Sequence, residues 1–333
     1  MFAALSRIGR GRVLQGAAAL VVLGLLVWWL VPFGPASPSG SVIFSTGVPS
    51  GVYQRYGTLL KEDLGRDLPN VSIQLKTSEG SQQNLAWVAT GKADFTVATA
   101  DAVAKYQEDR KPGADRLRGC ARLYDDYVQL VVAKDSPIRS VAGLRGRTVG
   151  VGQQGSGVRL IADRVMTAAR LDPQRDITPV PAGIDTMPGL LERHELDAFF
   201  WSGGLPTGAV DLLSKRFDIR LIPLEPELIA GLHASGEAAS RYYRSAAIPA
   251  DAYAKVRNGG VAVPTVAVAN LLVTTDRMDA GLTEGFTRTV IDSRDRIGKK
   301  VHPAQLVDLR TAIYTAPLEL HEGAMRYYQS VKP

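Results

Sequence analysis

Ser45-Thr46-Gly47, followed by Ser50-Gly51-Val52-Tyr53 and then Gly57, places small hydroxyl residues and glycines in a loop directly ahead of a helical pattern. Such a loop leaves the first backbone N–H groups of the helix free, and the helix dipole adds its positive end, so both favour an anion. The chain repeats the device at Thr77-Ser78-Glu79-Gly80-Ser81, before a helix through Asn84 and Leu85, and at Gly155-Ser156-Gly157, before a helix through Arg159. One such loop is ordinary punctuation between strand and helix. Three in one chain point to a cleft that captures a small anionic or zwitterionic solute. The candidate donors are Thr46, Gly47, Ser50, Gly51 and Tyr53 from the first loop, and Ser78, Gly80, Ser81 and Asn84 from the second. Gly155, Ser156 and Gly157 come from the third, and Arg159 either holds a carboxylate in a bidentate fork or stands as a solvent-facing helix arginine. Trp201, at a strand end before Ser202-Gly203-Gly204, offers an aromatic wall with free amides at Gly203 and Gly204, or else a core ring.

Catalytic constellations are absent from the pattern. The histidines at 194, 233, 302 and 321 lack a paired spacing and a companion carboxylate, and they read as surface or capping residues. Ser156 is preceded two positions earlier by Gln154, where a nucleophile elbow needs glycine. Cys120 stands alone and reads as buried filler, so neither a disulfide framework nor a cysteine-based zinc site exists within the chain. Gly150-Val151-Gly152-Gln153-Gln154-Gly155 matches a dinucleotide fingerprint, but the next strand ends in Pro181-Ala182-Gly183 and supplies no acid for a ribose, with Asp185 too far along. Asp101 reads as a helix cap and nothing more. The expectation is a binding protein, not an enzyme, with no cofactor and no metal.

Positioning these loops falls to a chain of 333 residues, 45% hydrophobic and 22% charged, the size of about two globular domains. Its charge of +6 is inflated by Arg7, Arg10 and Arg12, and the remaining basic residues are scattered, which argues against nucleic-acid binding. After those arginines, residues 13–33 form an uncharged apolar run long enough to cross a bilayer as a helix, with Trp28 and Trp29 at its far end. The basic flank puts residues 1–12 in the cytoplasm and the bulk of the chain outside. The run serves either as an anchor or as a cleaved signal sequence, and residues 34–40 read as a short tether. Beyond it, strands alternate with helices, which predicts α/β layers with largely parallel sheets. Two long β-branched segments, around Val128–Ala133 and Val266–Thr274, read as crossings between lobes. They divide the chain into residues 41–128 plus 270–333 and residues 129–269, with a solute site in the cleft between. The stretch from Glu225 to Val263 resists assignment.

From Ser41 to about Tyr328 the chain resembles the TAXI family of solute-binding proteins, the extracytoplasmic receptors of one class of TRAP transporters. The resemblance rests on Ser45-Thr46-Gly47 with Ser50-Gly51-Val52-Tyr53 and Gly57, on Thr77–Ser81 with Asn84-Leu85, and on Gly91-Lys92-Ala93-Asp94. It continues through Thr148-Val149-Gly150-Val151-Gly152 with Gly155-Ser156-Gly157, Asp197–Phe200, Val263–Val268 and His321-Glu322-Gly323-Ala324. It implies a two-lobed periplasmic-binding-protein type II fold that closes on a small carboxylate, glutamate-like solutes included, and delivers it to a membrane permease. A membrane-anchored receptor that reports its ligand to a histidine kinase is the alternative. Gln54-Arg55 stands where the family has Tyr-Pro, and Thr99-Ala100-Asp101 where it has Gln-Ser-Asp, so Thr99 joins the candidate site while the solute's identity does not carry over.

Overall fold

The computed structural model describes residues 37–332 other than 257 and 259, together with Val22. The expected membrane segment, residues 13–33, otherwise lies outside the described residues, as does the basic tail 1–12. Among the described residues no helix is long and apolar enough to cross a membrane.

Ten strands form the sheet framework: β1 (Gly40–Ser45), β2 (Val71–Lys76), β3 (Phe95–Thr99), β4 (Leu117–Ala133), β5 (Thr148–Gly150), β6 (Thr178–Val180), β7 (Ala198–Gly203), β8 (Ile219–Ile222), β9 (Tyr243–Ile248) and β10 (Val263–Thr275). Their order is β2-β1-β3-β10-β4-β7-β5-β6, with β8 beside β4 and β9 beside β10. β1 runs parallel to β2 in the register Gly40↔Val71 through Ser45↔Lys76, and parallel to β3. On the far side β5 runs parallel to both β6 and β7. Each half is therefore a β-α-β-α-β winding of the same strand order. Between them lie the two long antiparallel strands β4 and β10, which pair with each other and run on into both halves. The inner strands β3 and β7 are covered on both faces and buried along their whole length, whereas the edge strands β2 and β6 are partly exposed.

The main helices are α1 (Val52–Asp67), α2 (Ser81–Ala89), α3 (Ala100–Glu108), α4 (Gly157–Ala168), α5 (Met187–Glu192), α6 (Gly208–Arg216), α7 (Pro226–Ala234) and α8 (Ala280–Asp292). In α1, Tyr56, Leu60 and Leu64 recur every fourth residue and form the buried stripe. In α4 the stripe is Val158, Ile161, Ala162, Val165 and Met166. One core joins that stripe to β4, β7 and β10 through Leu130, Phe199, Phe200 and Val266. A second gathers Phe44, Tyr56, Phe95 and Phe286, with the rings of Phe95 and Phe286 stacked 4.1 Å apart.

Several local readings are corrected. β4 begins well before the expected segment around Val128–Ala133, at Leu117, because pairing with β10 holds the polar stretch around Asp125-Asp126 in the sheet. After α8 a separate short helix, Arg294–Gly298, follows, with Ser293 between them. The unassigned stretch contains α7, a 3-10 turn at Ala238–Tyr242, and β9, an added strand on β10.

Candidate functional site

Each βα loop delivers its helix start to the same place, because the carboxyl ends of the parallel strands in both halves face a common crevice. That is where open α/β sheets hold their ligands. The crevice contains a cavity of about 60 Å³, room for about four to six water-sized atoms. One half contributes Gly47, Val48, Gly51, Val52, Tyr53, Glu79, Gly80, Ser81, Thr99 and Asp126. The other contributes Gly152, Gln153, Ser156, Gly157, Val158, Gly183, Trp201, Ser202 and Gly203. The N-termini of α1, α2 and α4 all open on it.

The loops are shaped to bring backbone close. Gly80, the residue before α2, has φ +125°, and a Cβ there would lie 3.4 Å from the Ser156 backbone across the crevice. Gly152 has φ +82°, and a Cβ would meet the Arg159 amide nitrogen at 2.9 Å and Val158 Cβ at 2.8 Å. The Gly152→Ala variant is therefore expected to lose about 1–3 kcal/mol of stability from backbone strain alone. Urea unfolding measures it, and an unmoved midpoint would show that the loop accommodates a side chain. Ser156 caps α4, its Oγ accepting the Arg159 N–H at 3.0 Å while donating to the Gln153 carbonyl at 2.7 Å.

The crevice is bridged along its length. The Ser50 N–H and hydroxyl both bond Asp185, the first at 3.1 Å. Gln82 Nε2 donates to the Ser156 carbonyl at 2.7 Å, and the Gln83 N–H donates to the Gly155 carbonyl at 3.0 Å. Asp101, expected only to cap a helix, is not the N-cap of α3, which is Thr99, but lies in its first turn and bonds elsewhere. Its carboxylate accepts the Tyr243 hydroxyl at 2.8 Å, and Tyr243 in turn accepts from Arg164 at 3.3 Å.

The sequence candidates separate into two sets. Gly47, Gly51, Tyr53, Gly80, Ser81, Thr99, Ser156, Gly157, Trp201 and Gly203 line the cavity. The others surround it. Thr46 is buried and bonds Gln54 and the Lys76 carbonyl. Ser78 donates to the Thr46 carbonyl at 3.1 Å, and Asn84 Nδ2 donates to the same carbonyl at 2.7 Å and to that of Val97 at 3.1 Å. These groups pin the first loop from behind. Ser50 and Gly155 belong to the bridges, and Gly204 sits against Pro303, whose ring leaves no space for a Cβ. Arg159 does not line the cavity: its Nε donates to both carboxylate oxygens of Asp163, one turn further along α4, at 2.9 and 2.8 Å. Trp201 presents its ring to the cavity and anchors its Nε1 on Thr207 Oγ1 at 3.1 Å.

Sequence reasoning missed the acids. Asp126 and Glu79 line the cavity, and its lining holds no lysine, arginine or histidine. Burial, with Asp125 and Asp101 nearby, pushes the Asp126 carboxyl up to about 7. Burial also drives the Tyr53 hydroxyl well above its ordinary value, with Asp126 adding to the effect. Asp126 Oδ1, Glu79 Oε2 and Ser202 Oγ are buried and accept or donate no hydrogen bond within the protein. A buried polar atom without a partner is costly, and three residues of this one lining carry such an atom.

Comparison with solved structures places this architecture. A putative L-cystine ABC transporter protein from Listeria monocytogenes matches with a TM-score of 0.51 at 13% identity, covering 80% of this chain and 98% of that one. A protein from Bordetella bronchiseptica RB50 matches with a TM-score of 0.50 at 17% identity, over 88% and 90% of the two chains. The periplasmic aliphatic sulphonate binding protein of Escherichia coli matches with a TM-score of 0.45 at 13% identity, over 89% and 84%. At these identities the likeness to the first two proteins is one of fold alone. The profile of the NMT1-like family matches residues 44–331, nearly all of the described chain, and the chain belongs to that family.

Proposed function

We propose that the chain is an extracytoplasmic solute-binding protein that closes two lobes, residues 41–128 with 270–333 and residues 129–269, on a small organic anion or amino acid. It performs no chemistry on the solute and presents it to the permease of a TRAP-type transporter, with residues 13–33 as its membrane attachment. The observation that carries this reading is the convergence of three helix N-termini, from both halves, on one cavity bridged by β4 and β10. Two long strands joining otherwise separate halves are the natural hinge for opening and closure. The cavity hydroxyls of Tyr53, Ser81, Thr99, Ser156 and Ser202 have no histidine or lysine beside them in the lining to activate a nucleophile. The resemblance of the loop motifs to TAXI receptors supports the TRAP assignment, and the fold likeness to a putative cystine transporter protein supports a solute of amino-acid size.

Thermal unfolding of the full-length chain in mild detergent, against a panel of amino acids and of mono- and dicarboxylates, tests the reading. A true ligand at about 100 times its Kd adds about 2.7 kcal/mol of stability, a shift of a few degrees for a protein of this size. A panel that moves no midpoint would overturn the proposal.

A further inference from the structure

The cavity lining carries two unlike sets of groups. The N-termini of α1, α2 and α4 present backbone amides with neutral hydroxyls at Ser81, Thr99 and Ser156, a set that attracts negative charge. Beside them, in the half that carries α1 and α2, stands Asp126, 3% exposed, whose Oδ1 has no hydrogen bond of ordinary geometry and whose polar support is the neutral Asn270 side chain. The groups facing Asp126 are Tyr53 from α1, Asp101 from α3, Asn270 from β10, and Tyr124 and Asp125 from its own strand, none of them a cation. The Tyr53 hydroxyl is committed elsewhere, donating to Asn270 and meeting Ser81 at 3.2 Å. Glu79 adds a second acid, its Oε2 also unmatched. A carboxylate stripped of water stays ionised only beside a positive partner, and the protein offers Asp126 none.

We propose that the partner comes with the solute: the ligand is a small amino acid whose ammonium group binds Asp126 while its carboxylate lies against the helix N-termini. This inference rests on the receptor reading above and narrows its solute class. It excludes organic anions without a cationic centre, for which Asp126 is a repulsive wall. A cavity of about 60 Å³ favours compact members of the class.

Isothermal titration of the full-length chain at pH 8 tests this with matched pairs that differ only by ammonium against hydroxyl: glycine with glycolate, alanine with lactate, glutamate with 2-hydroxyglutarate. The preferred amino acid is expected to bind at least tenfold more tightly than its hydroxy acid. The Asp126→Asn variant is expected to lose at least tenfold for the amino acid while the hydroxy acid changes little or improves, which also reports that the variant is folded. Amino-acid affinity of the unaltered chain is expected to rise between pH 6 and pH 8 as Asp126 ionises. Hydroxy acids binding as tightly as amino acids, or full amino-acid affinity in Asp126→Asn, overturns this inference and leaves the receptor standing. Binding by neither member of any pair overturns the receptor reading and the inference with it.

Discussion

Replacing Asp126 with asparagine is expected to make the protein progressively more stable than the parent as pH rises from about 4 to above 7. In the unfolded chain this carboxyl ionises near the ordinary aspartate value of 3.8, whereas in the folded protein it keeps its proton up to about 7. Between those values the folded state binds more protons than the unfolded state, so the unfolding free energy falls with rising pH. The gap of about three pH units, at 1.36 kcal/mol each, corresponds to a cost of about 4 kcal/mol fully present above pH 7. Asparagine carries no charge and is free of that slope. Urea unfolding of both proteins at pH 5 and pH 8 measures the change in their difference, which separates this effect from any fixed cost of burying an amide. A difference that stays constant with pH would mean that Asp126 is already ionised and matched.

The same substitution is expected to abolish amino-acid selectivity, so stability and function should move in opposite directions. That opposition is common where a binding site holds groups in an environment suited to a ligand and not to the isolated protein. A ligand that supplies the missing charge is expected to return the lost stability.

The contrast between what the sequence disclosed and what it hid follows from the range of the interactions concerned. The loops before α1, α2 and α4 were legible because small residues at a helix start act through their own backbone. Seven residues of those loops, Gly47, Gly51, Tyr53, Gly80, Ser81, Ser156 and Gly157, line one cavity. Arg159 was misplaced although the contrary signal was present: Asp163 lies four residues on, the spacing at which helical side chains pair. Asp126 was hidden for a different reason. Arg122-Leu123-Tyr124-Asp125-Asp126 lies ahead of the segment read as a strand, yet β10 holds it in β4, and alternation sends the two acids to opposite faces. Asp125 turns outward to Arg122 at 2.7 Å and to Arg244, while Asp126 turns into the cavity. Only long-range pairing decides which acid goes where. The break at Ser293 and the added strand β9 likewise depend on tertiary neighbours and not on local pattern.

Arg164→Met is expected to destabilise the protein by about 3–5 kcal/mol at pH 8, the usual cost of leaving a buried charge without its partner. Arg164 on α4 is 8% exposed, and it joins Glu237 at 2.7 Å to the Tyr243 hydroxyl at 3.3 Å. The Tyr243 hydroxyl in turn donates its hydrogen bond to Asp101, which is 1% exposed at the start of α3. Burial pushes the Asp101 carboxyl up, while the Thr99 and Tyr243 hydrogen bonds and the Arg164 charge draw it down. Methionine keeps the length of the side chain and removes that charge, so Asp101 titrates still higher in the variant. The extra cost in the variant then grows as pH rises from the parent's Asp101 value to the variant's higher one, and it is absent at a pH low enough for the carboxyl to be protonated in both proteins. The penalty should accordingly be smaller at pH 5 than at pH 8. Adding Asp101→Asn to Arg164→Met should recover most of the loss at pH 8, because it removes the second charge and keeps an acceptor for Tyr243. A loss that is the same at both pH values, or a double variant no more stable than the single one, would place the damage in packing and not in charge. The outcome bears on closure as well as stability, since Asp101 belongs to the half that carries α1 and Arg164 to the half that carries α4. With the latch removed, the two halves are tied across the crevice chiefly by the Ser50–Asp185 and Gln82–Ser156 bridges, and a solute that binds by closing them should bind more weakly at a pH where the latch is charged.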